Sequence, residues 1–363
     1  MHSAVTDFGR NINSWVSIQR ITPTSIQVRY GMVAHPRTIK YQLIRGTNII
    51  DTVLLKGGNN AGQILLKGLQ PETDYKIIFR TDKNFIELNA TTQPAPKSKK
   101  LFSIALFADP HLSCSQENRH GRLHVESVML LRTQLQKAVS SKSDLVIIPG
   151  DITDEGTPEQ YDLVEKMIAD LPIPVMATTG NHDIVKHQEA FFHKIFGESA
   201  FIRIWHDFQL IALDTADGKL NNAKNRAVIK AIDPKIPVIM FTHYQLFADD
   251  WISDADRVIA DTEDCREMLL KIASCKSILY CGHKNIATSV QCGNLCQMNL
   301  PQLTQFPAGY LEATFYEEGI WHNFMPISSE VLNEYSRQIS ELYHIKSAYR
   351  DGKTQHEWNK VIK

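Results

Sequence analysis

The first part of the chain alternates between apolar and polar positions, a pattern typical of strands that are buried on one face. Such runs occupy residues 25–30, 39–43, 49–55, 63–66, 75–79 and 85–90. Turn-forming residues separate them, most clearly the cluster Gly57-Gly58-Asn59-Asn60. Short strands at this spacing, with no helical period between them, predict an all-β sandwich.

From Leu101 onward, compact apolar runs alternate with stretches of helical period. The apolar runs occupy residues 102–108, 145–149, 175–179, 210–213, 238–242 and 278–281, and the helical stretches occupy 125–139, 158–169 and 261–273. Continuous apolar strands between amphipathic helices predict an α/β domain whose sheet is covered on its faces. The apolar residues of 328–349 recur at near-helical spacing and predict a further helix on the surface of that domain.

The two patterns are separated by a proline- and lysine-rich stretch, a composition that builds no core. The chain of 363 residues is also about twice the usual size of one domain. We therefore predict a β-sandwich at 10–93, a linker at 94–100, an α/β catalytic domain at 101–327 and a C-terminal helical extension at 328–363.

The composition excludes several classes of protein. Lys plus Arg number 39 and Asp plus Glu number 40, so the net charge of −1 gives no general attraction to nucleic acid or anionic membrane. No apolar run is long enough to span a bilayer, and the N-terminus lacks the basic and apolar segments of a secretory signal. The six cysteines are too sparse for a disulfide scaffold. We therefore expect a cytoplasmic protein with free, mostly buried thiols, no membrane association and no nucleic-acid-binding surface.

Five of the α/β strands are followed directly by polar residues that suit metal binding or proton transfer. These residues are Asp109 and His111, Asp151, the group Asn181, His182 and Asp183, then His243, and finally His283 and Asn285. The carboxyl ends of strands are where ligands bind in α/β sheets. One histidine in such a place is usually structural, but five coincident placements point to a shared site.

The residue types indicate a pair of divalent cations. Carboxylate, imidazole and amide oxygen, without thiolate, are ligands for hard to borderline metal ions, and one carboxylate can bridge two of them. Glycines precede Asp151, Asn181 and His283, and they permit tight turns and a close approach of the backbone to a ligand.

The ordered motifs Asp-x-His, Gly-Asp, Gly-Asn-His-Asp, a lone His and Gly-His-x-Asn resemble those of the calcineurin-like metallophosphoesterases, from about residue 102 to residue 315. The segments 150–156, 213–215 and 302–309 resemble the cyclic-nucleotide phosphodiesterase branch in particular. The resemblance implies two packed mixed β-sheets flanked by helices. In the first domain, residues 69–75 (LQPETDY) resemble the corner signature of fibronectin type III domains, in which the tyrosine hydroxyl bonds to upstream backbone.

The resemblance also implies roles for individual residues. Asp109 and His111 would bind a first metal, Asp151 would bridge both metals, and Asn181, His243 and His283 would hold the second. His182 would act as a catalytic residue beside the substrate phosphate, positioned by the carboxylate of Asp183.

Two positions depart from related families. The calcineurin-like family has a histidine where this chain has Asn285, and the harder amide oxygen would favour manganese or magnesium over zinc or the late transition metals. The resemblance implies two divalent metal ions, manganese, iron or zinc, and of these we expect manganese. Purple acid phosphatases also carry a leading β-sandwich, but they place a ferric-iron tyrosine where this chain has Asp154, so a purple site is not expected.

The resemblance implies hydrolysis of a small-molecule phosphoester by a metal-bridging hydroxide, with a phosphodiester favoured over a phosphomonoester. The alternative is a degenerate relative that binds metal or a phosphorylated ligand without turnover. The N-terminal domain is a candidate surface for homo-oligomerisation. The residues do not identify the substrate.

Overall fold

A computed structural model describes residues 15–31, 38–56, 61–80, 85–185, 189–248, 258–342 and 355–363. The turn predicted at residues 57–60 lies outside these ranges. The first seven strands are β1 (Trp15–Ile21), β2 (Ser25–Gly31), β3 (Thr38–Arg45), β4 (Asn48–Lys56), β5 (Ala61–Lys67), β6 (Asp74–Arg80) and β7 (Phe85–Thr91). They form two antiparallel sheets with the strand orders β1-β2-β5 and β4-β3-β6-β7. The predicted all-β sandwich is therefore confirmed.

The inward residues of both sheets form one apolar core, in which Ile26, Val28 and Ile77 are fully buried. The hydroxyl oxygen of Tyr75 accepts a hydrogen bond from the backbone N–H of Gln70 at 2.9 Å, as the fibronectin type III resemblance implies. Strand β1 was not predicted, because its register shifts between Ile18 and Arg20 and this irregularity interrupts the alternation of side chains.

The described residues of the α/β part contain twelve further strands. They are β8 (Lys100–Leu106), β9 (Leu145–Pro149), β10 (Val175–Thr178), β11 (Phe201–Trp205), β12 (Phe208–Leu213), β13 (Val238–Thr242), β14 (Ser277–Cys281), β15 (Ser289–Cys292), β16 (Leu295–Asn299), β17 (Gly309–Tyr316), β18 (Gly319–Pro326) and β19 (Val361–Ile362). They form two six-stranded mixed sheets with the orders β10-β9-β8-β17-β18-β19 and β11-β12-β13-β14-β16-β15. The expected pair of mixed sheets is confirmed.

The helices are α1 (Ser127–Ser140), α2 (Pro158–Ile168), α3 (Glu189–Phe196), α4 (Ala223–Ala231), α5 (Arg266–Ser274) and α6 (Glu330–Leu342), and a 3₁₀ helix covers Gln355–Asn359. Helix α2 begins where predicted, because Thr157 caps it by accepting from the N–H of Gln160 and Pro158 fits its first turn. Helices α3 and α4 were not predicted, since each is short and offers few turns from which a period can be detected.

The two six-stranded sheets pack face to face over a core that includes the fully buried Ile104, Leu210 and Ile239. Helices α1 to α3 cover the outer face of the first sheet, where Tyr161 and Phe192 are buried against its strands. Helices α4 and α5 cover the second sheet. Because both faces of the central strands are buried, the sequences of these strands are continuous apolar runs.

Buried polar contacts join the β-sandwich to the α/β part. Arg29, on β2, is 1% exposed and pairs with Glu330 at the start of α6, at 3.0 Å. The side chain of Asn359 accepts from the backbone N–H of Ile21 on β1 and of Phe324 on β18. The C-terminal extension thus contains a helix, and its last residues add strand β19 to the first mixed sheet. The predicted domain limits themselves stay predictions.

Two predictions drawn from composition concern the thiols and the membrane. All six cysteines carry free thiols, and four of them are buried. Within the residues that the structure describes, no helix is both long enough and apolar enough to cross a membrane.

Candidate metal centre

The predicted ligands lie where five strands from both mixed sheets end. Strands β8, β9 and β10 of the first sheet and β13 and β14 of the second lead, in turn, to Asp109 and His111, Asp151, Asn181, His243 and His283. Because the sheets pack face to face, these ends meet at one edge of the domain. The predicted convergence therefore occurs in the structure.

A first cluster contains His111, Asp151 and His182, with one possible ligand atom from each lying within 4.8 Å of the others. The Nε2 atom of His111 lies 3.6 Å from Asp151 Oδ2 and 4.0 Å from Asp109 Oδ1. This nitrogen is buried and makes no hydrogen bond with any residue that the structure describes. A buried imidazole nitrogen facing two carboxylates is a suitable place for a cation.

A second cluster contains Asp151, His243 and His283, again within 4.8 Å. The Nε2 atom of His243 lies 3.3 Å from Asp151 Oδ2, 2.9 Å from the side-chain oxygen of Asn181 and 3.2 Å from His283 Nδ1. Asp151 is common to both clusters, which is the position that a bridging carboxylate needs.

Polar contacts of two histidines orient their rings toward the candidate metal positions. The Nδ1 atom of His243 lies 3.0 Å from the carbonyl oxygen of Pro149, so Nδ1 donates and Nε2 is the nitrogen that faces the second cluster. The Nδ1 atom of His111 lies 3.4 Å from Asp154 Oδ1, which leaves Nε2 directed toward Asp109 and Asp151. Metal-binding histidines are commonly held in this way by a carbonyl or a carboxylate. The residues present therefore fit a pair of divalent cations.

The backbone at the centre is strained. Asp109, His111, Asp151, His283 and Asn285 all have positive φ angles, between 44° and 59°. Such angles are uncommon for residues other than glycine, cost free energy and concentrate at functional sites. The carboxylate of Asp109 stabilises one of these turns by accepting from the N–H of His283 at 3.1 Å.

The glycines before the candidate ligands are required for close packing. A Cβ atom on Gly180 would lie 2.3 Å from both the backbone N and the Oδ1 of Asp151. A Cβ atom on Gly282 would lie 2.7 Å from Asp109 Oδ2. The absence of a side chain at Gly180 and Gly282 thus lets the backbone pack closely against Asp151 and Asp109.

The carboxylate beside His182 is Asp154, and the predicted pairing of His182 with Asp183 is wrong. His182 Nδ1 lies 2.8 Å from the backbone oxygen of Asp154 and 3.6 Å from its carboxylate. The same carboxylate oxygen lies 3.4 Å from His111 Nδ1 and 3.4 Å from His124 Nε2. Burial alone would raise the pKa of Asp154, but these histidines hold it well below its usual range.

Asp183 instead fixes the backbone that carries Asp151. Its fully buried carboxylate accepts from the N–H groups of Ile152, Thr153 and Gly180 and from the hydroxyl of Thr153. Burial, followed by the charge of Asp151, raises the pKa of Asp183 to about 6, and the hydrogen bonds from Thr153 and Gly180 oppose this rise. Asp183 therefore fixes the conformation of the loop that follows Asp151.

Asn285 is buried, and its side-chain N–H donates to the carbonyl of His283 at 3.1 Å. Its side-chain oxygen has no hydrogen-bond partner among the described residues. A buried acceptor without a donor is costly unless a cation or a water binds it. The residue that replaces the family's histidine thus retains an oxygen available to a metal.

Two members of the cluster, Asp151 and His111, favour the protonation states that metal binding requires. Burial would raise the pKa of Asp151, but His243 and then His111 hold it well below its usual range, so this carboxylate is ionised. Burial lowers the pKa of His111 to about 3, so its imidazole is neutral. Burial lowers the pKa of His243, but the charge and hydrogen bond of Asp151 raise it to about 9, so a cation would displace a proton from that ring. Burial raises the pKa of Asp109 to about 7, and a bound cation would favour its ionised form.

Sequence reasoning missed Asp154 and His124 as parts of the site. Asp154 follows Asp151 by three residues in the segment GDITDEG, and this short spacing could have indicated that Asp154 lies in the site. His124 lies distant in sequence from every motif, so only the fold brings it to Asp154.

Residues 102–284 match the sequence model of the calcineurin-like phosphoesterases, which is half of the chain. The chain belongs to that family. The match covers the strands and loops that carry Asp109, His111, Asp151, Asn181, His243 and His283.

Two curated relatives of this calcineurin-like phosphoesterase carry diesterase names. A 3',5'-cyclic-nucleotide phosphodiesterase from Nostoc sp. is 34% identical over 82 residues, covering 22% of this chain and 30% of the relative. A probable glycerophosphodiester phosphodiesterase from Arcobacter nitrofigilis is 28% identical over 91 residues, covering 25% of this chain and 33% of the relative. The matched segments span about a third of these relatives' own length.

Among solved structures, a dimetal phosphatase from Danio rerio superposes with a TM-score of 0.51 at 13% identity, covering 62% of this chain and 96% of that one. At this identity the likeness supports the fold alone. The α/β part of this calcineurin-like phosphoesterase therefore has the architecture of its family.

Replacing Asp154 with Asn tests the orienting role of this carboxylate. We expect Asp154→Asn to weaken manganese binding by about 10- to 100-fold, because an amide no longer favours the Nδ1–H form of His111. Isothermal titration calorimetry measures the change. Asp162→Asn, on the exposed face of α2, is the matched control and should bind manganese like the wild type. Equal affinities for Asp154→Asn and the wild type would contradict the orienting role.

Proposed function

We propose that this chain is a metal-dependent phosphodiesterase acting on a small-molecule phosphodiester. The observation that carries the proposal is the shared position of Asp151, whose buried Oδ2 atom lies 3.6 Å from His111 Nε2 and 3.3 Å from His243 Nε2. The phosphodiesterase names of the Nostoc and Arcobacter relatives support a diester rather than a monoester as substrate.

We infer the following division of ligands. Asp109 and His111 would hold one cation together with Asn285, Asp151 would contact both cations, and the other cation would be held by Asn181, His243 and His283. Bound divalent cations would neutralise charge on the phosphoryl oxygens and supply a water acidic enough to attack phosphorus at neutral pH. The chain's own residues would hold the cations, orient the substrate and donate a proton to the leaving group.

His182 has the geometry of a general acid. Its Nδ1 must donate, because its partner at 2.8 Å is the carbonyl oxygen of Asp154, and its side chain is 27% exposed. When the ring is protonated, Nε2 also carries a proton, which it can transfer to the leaving oxygen. The carboxylate of Asp154 lies 3.6 Å from the same nitrogen.

The ligand set favours manganese. Carboxylate and amide oxygens suit a harder ion than the imidazole-rich sites that zinc prefers. Asn285 adds an amide oxygen where the family resemblance leads us to expect an imidazole.

Hydrolysis of a chromogenic diester after metal removal tests the proposal. Chelator-treated protein is given manganese, zinc, magnesium or iron separately, with bis(p-nitrophenyl) phosphate and p-nitrophenyl phosphate as substrates. We expect release of p-nitrophenol from the diester, with the highest rate in manganese. We expect Asp151→Asn to lose this activity, because the carboxylate shared by the two clusters is removed.

Asp207→Asn provides the matched control, since it changes an exposed carboxylate in the turn between β11 and β12. No hydrolysis with any of the four metals would contradict the proposed function and favour a degenerate relative that binds ligand without turnover. A faster reaction with the monoester would contradict the diester preference.

Restoring the family histidine tests the role of Asn285. We expect Asn285→His to bind a cation about 10-fold more tightly at the first site and to shift its preference toward zinc, because imidazole is the stronger and softer ligand. Competitive metal titration against a chelating dye measures both changes. Unchanged affinities for manganese and zinc would show that position 285 is not a ligand.

A further inference from the structure

The loop that follows the first metal motif passes beside the candidate metal centre. Arg122 forms an antiparallel β-bridge with Gln305, and Gln302 of the same segment forms a bridge with Ala108. Asp109 is the residue after Ala108. Two backbone pairings therefore hold Arg122 at a defined distance from the candidate ligands.

This part of the loop is firmly fixed. The carbonyl of Gly121 accepts from the hydroxyl of Ser336 on α6 at 2.5 Å, and the carbonyl of His120 accepts from the side chain of Gln305. Gly121 has a φ of +77°, and a Cβ atom there would lie 1.9 Å from the hydroxyl of Ser340. The backbone that carries Arg122 is thus closely packed against α6.

The guanidinium of Arg122 forms no ion pair and no hydrogen bond with any residue in the described ranges. Arg119, three residues earlier, instead pairs with Glu117 at 2.8 Å. Arg122 is half-buried. Burial raises the pKa of Asp109 and lowers that of His111, and the positive charge of Arg122 opposes the first effect and adds to the second. Its charge therefore acts on two of the candidate ligands.

An unpaired cation beside a centre built for cations is unfavourable unless an anion lies between them. A guanidinium presents N–H donors in a fork that matches two phosphoryl oxygens. We propose that Arg122 binds the non-bridging oxygens of the substrate's phosphoryl group and is the residue that selects anionic phosphoesters. This inference rests on the proposed phosphoesterase function.

The test compares three variants by kinetics and by phosphate binding. Wild type, Arg122→Met, Arg122→Lys and Arg119→Met, each loaded with manganese, are assayed with bis(p-nitrophenyl) phosphate, and calorimetry gives the Kd for inorganic phosphate. We expect Arg122→Met to lower kcat/KM and to weaken phosphate binding by about 10- to 100-fold, the effect of losing hydrogen bonds between charged groups. Most of the loss should fall on KM, because the contact exists before the reaction.

Arg122→Lys keeps a positive charge without the fork and should fall between the wild type and Arg122→Met. Arg119→Met, in the same loop, should match the wild type because Arg119 is exposed and paired with Glu117. Wild-type values of both KM and the phosphate Kd in Arg122→Met would overturn the proposal. If the wild type hydrolyses nothing, the proposed function fails, and the phosphate Kd values alone still decide the role of Arg122.

Discussion

The buried carboxylate of Asp151 is the group on which the candidate site depends. Its Oδ2 atom lies 3.6 Å from His111 Nε2 and 3.3 Å from His243 Nε2, and its Oδ1 atom accepts from the backbone N–H of His182. An ionised carboxylate at this depth is unfavourable unless positive charge and hydrogen bonds compensate it. Cations on either side would supply that compensation, and two histidine rings are oriented toward the places where they would bind.

The packing of two apolar sheets makes this arrangement possible. Because the central strands of both sheets are buried on both faces, close packing sets their relative position. The short turns that follow these strands are placed by it in the same way. Gly180 and Gly282 allow these turns to approach Asp151 and Asp109 more closely than any side chain would permit. Asp183 then fixes the loop after Asp151 by accepting backbone hydrogen bonds on both of its oxygens. These contacts therefore offset the free-energy cost of the positive φ angles.

Most of the architecture and the candidate ligands were predictable from local pattern. The alternation of apolar and polar residues predicted six of the seven described sandwich strands. Strand β1 was not predicted because its register shifts near Arg20. The ligands were predictable because each one directly follows an apolar strand. The partner of His182 was not predictable in this way. Asp183 adjoins His182 in sequence, but its carboxylate accepts hydrogen bonds from the backbone. Asp154 is distant from His182 in sequence, and the fold brings its backbone oxygen to His182 Nδ1. Adjacency along the chain fixes neither the direction of a side chain nor its hydrogen-bond partners.

The most direct test of the account is the anomalous scattering of manganese in crystals of the protein soaked with that ion. The account predicts two peaks on either side of the Asp151 carboxylate, about 3.5–4 Å apart, one near His111 and one near His243. The absence of manganese beside Asp151, or a single peak there at full soaking, would contradict the claim that this carboxylate joins two cation sites.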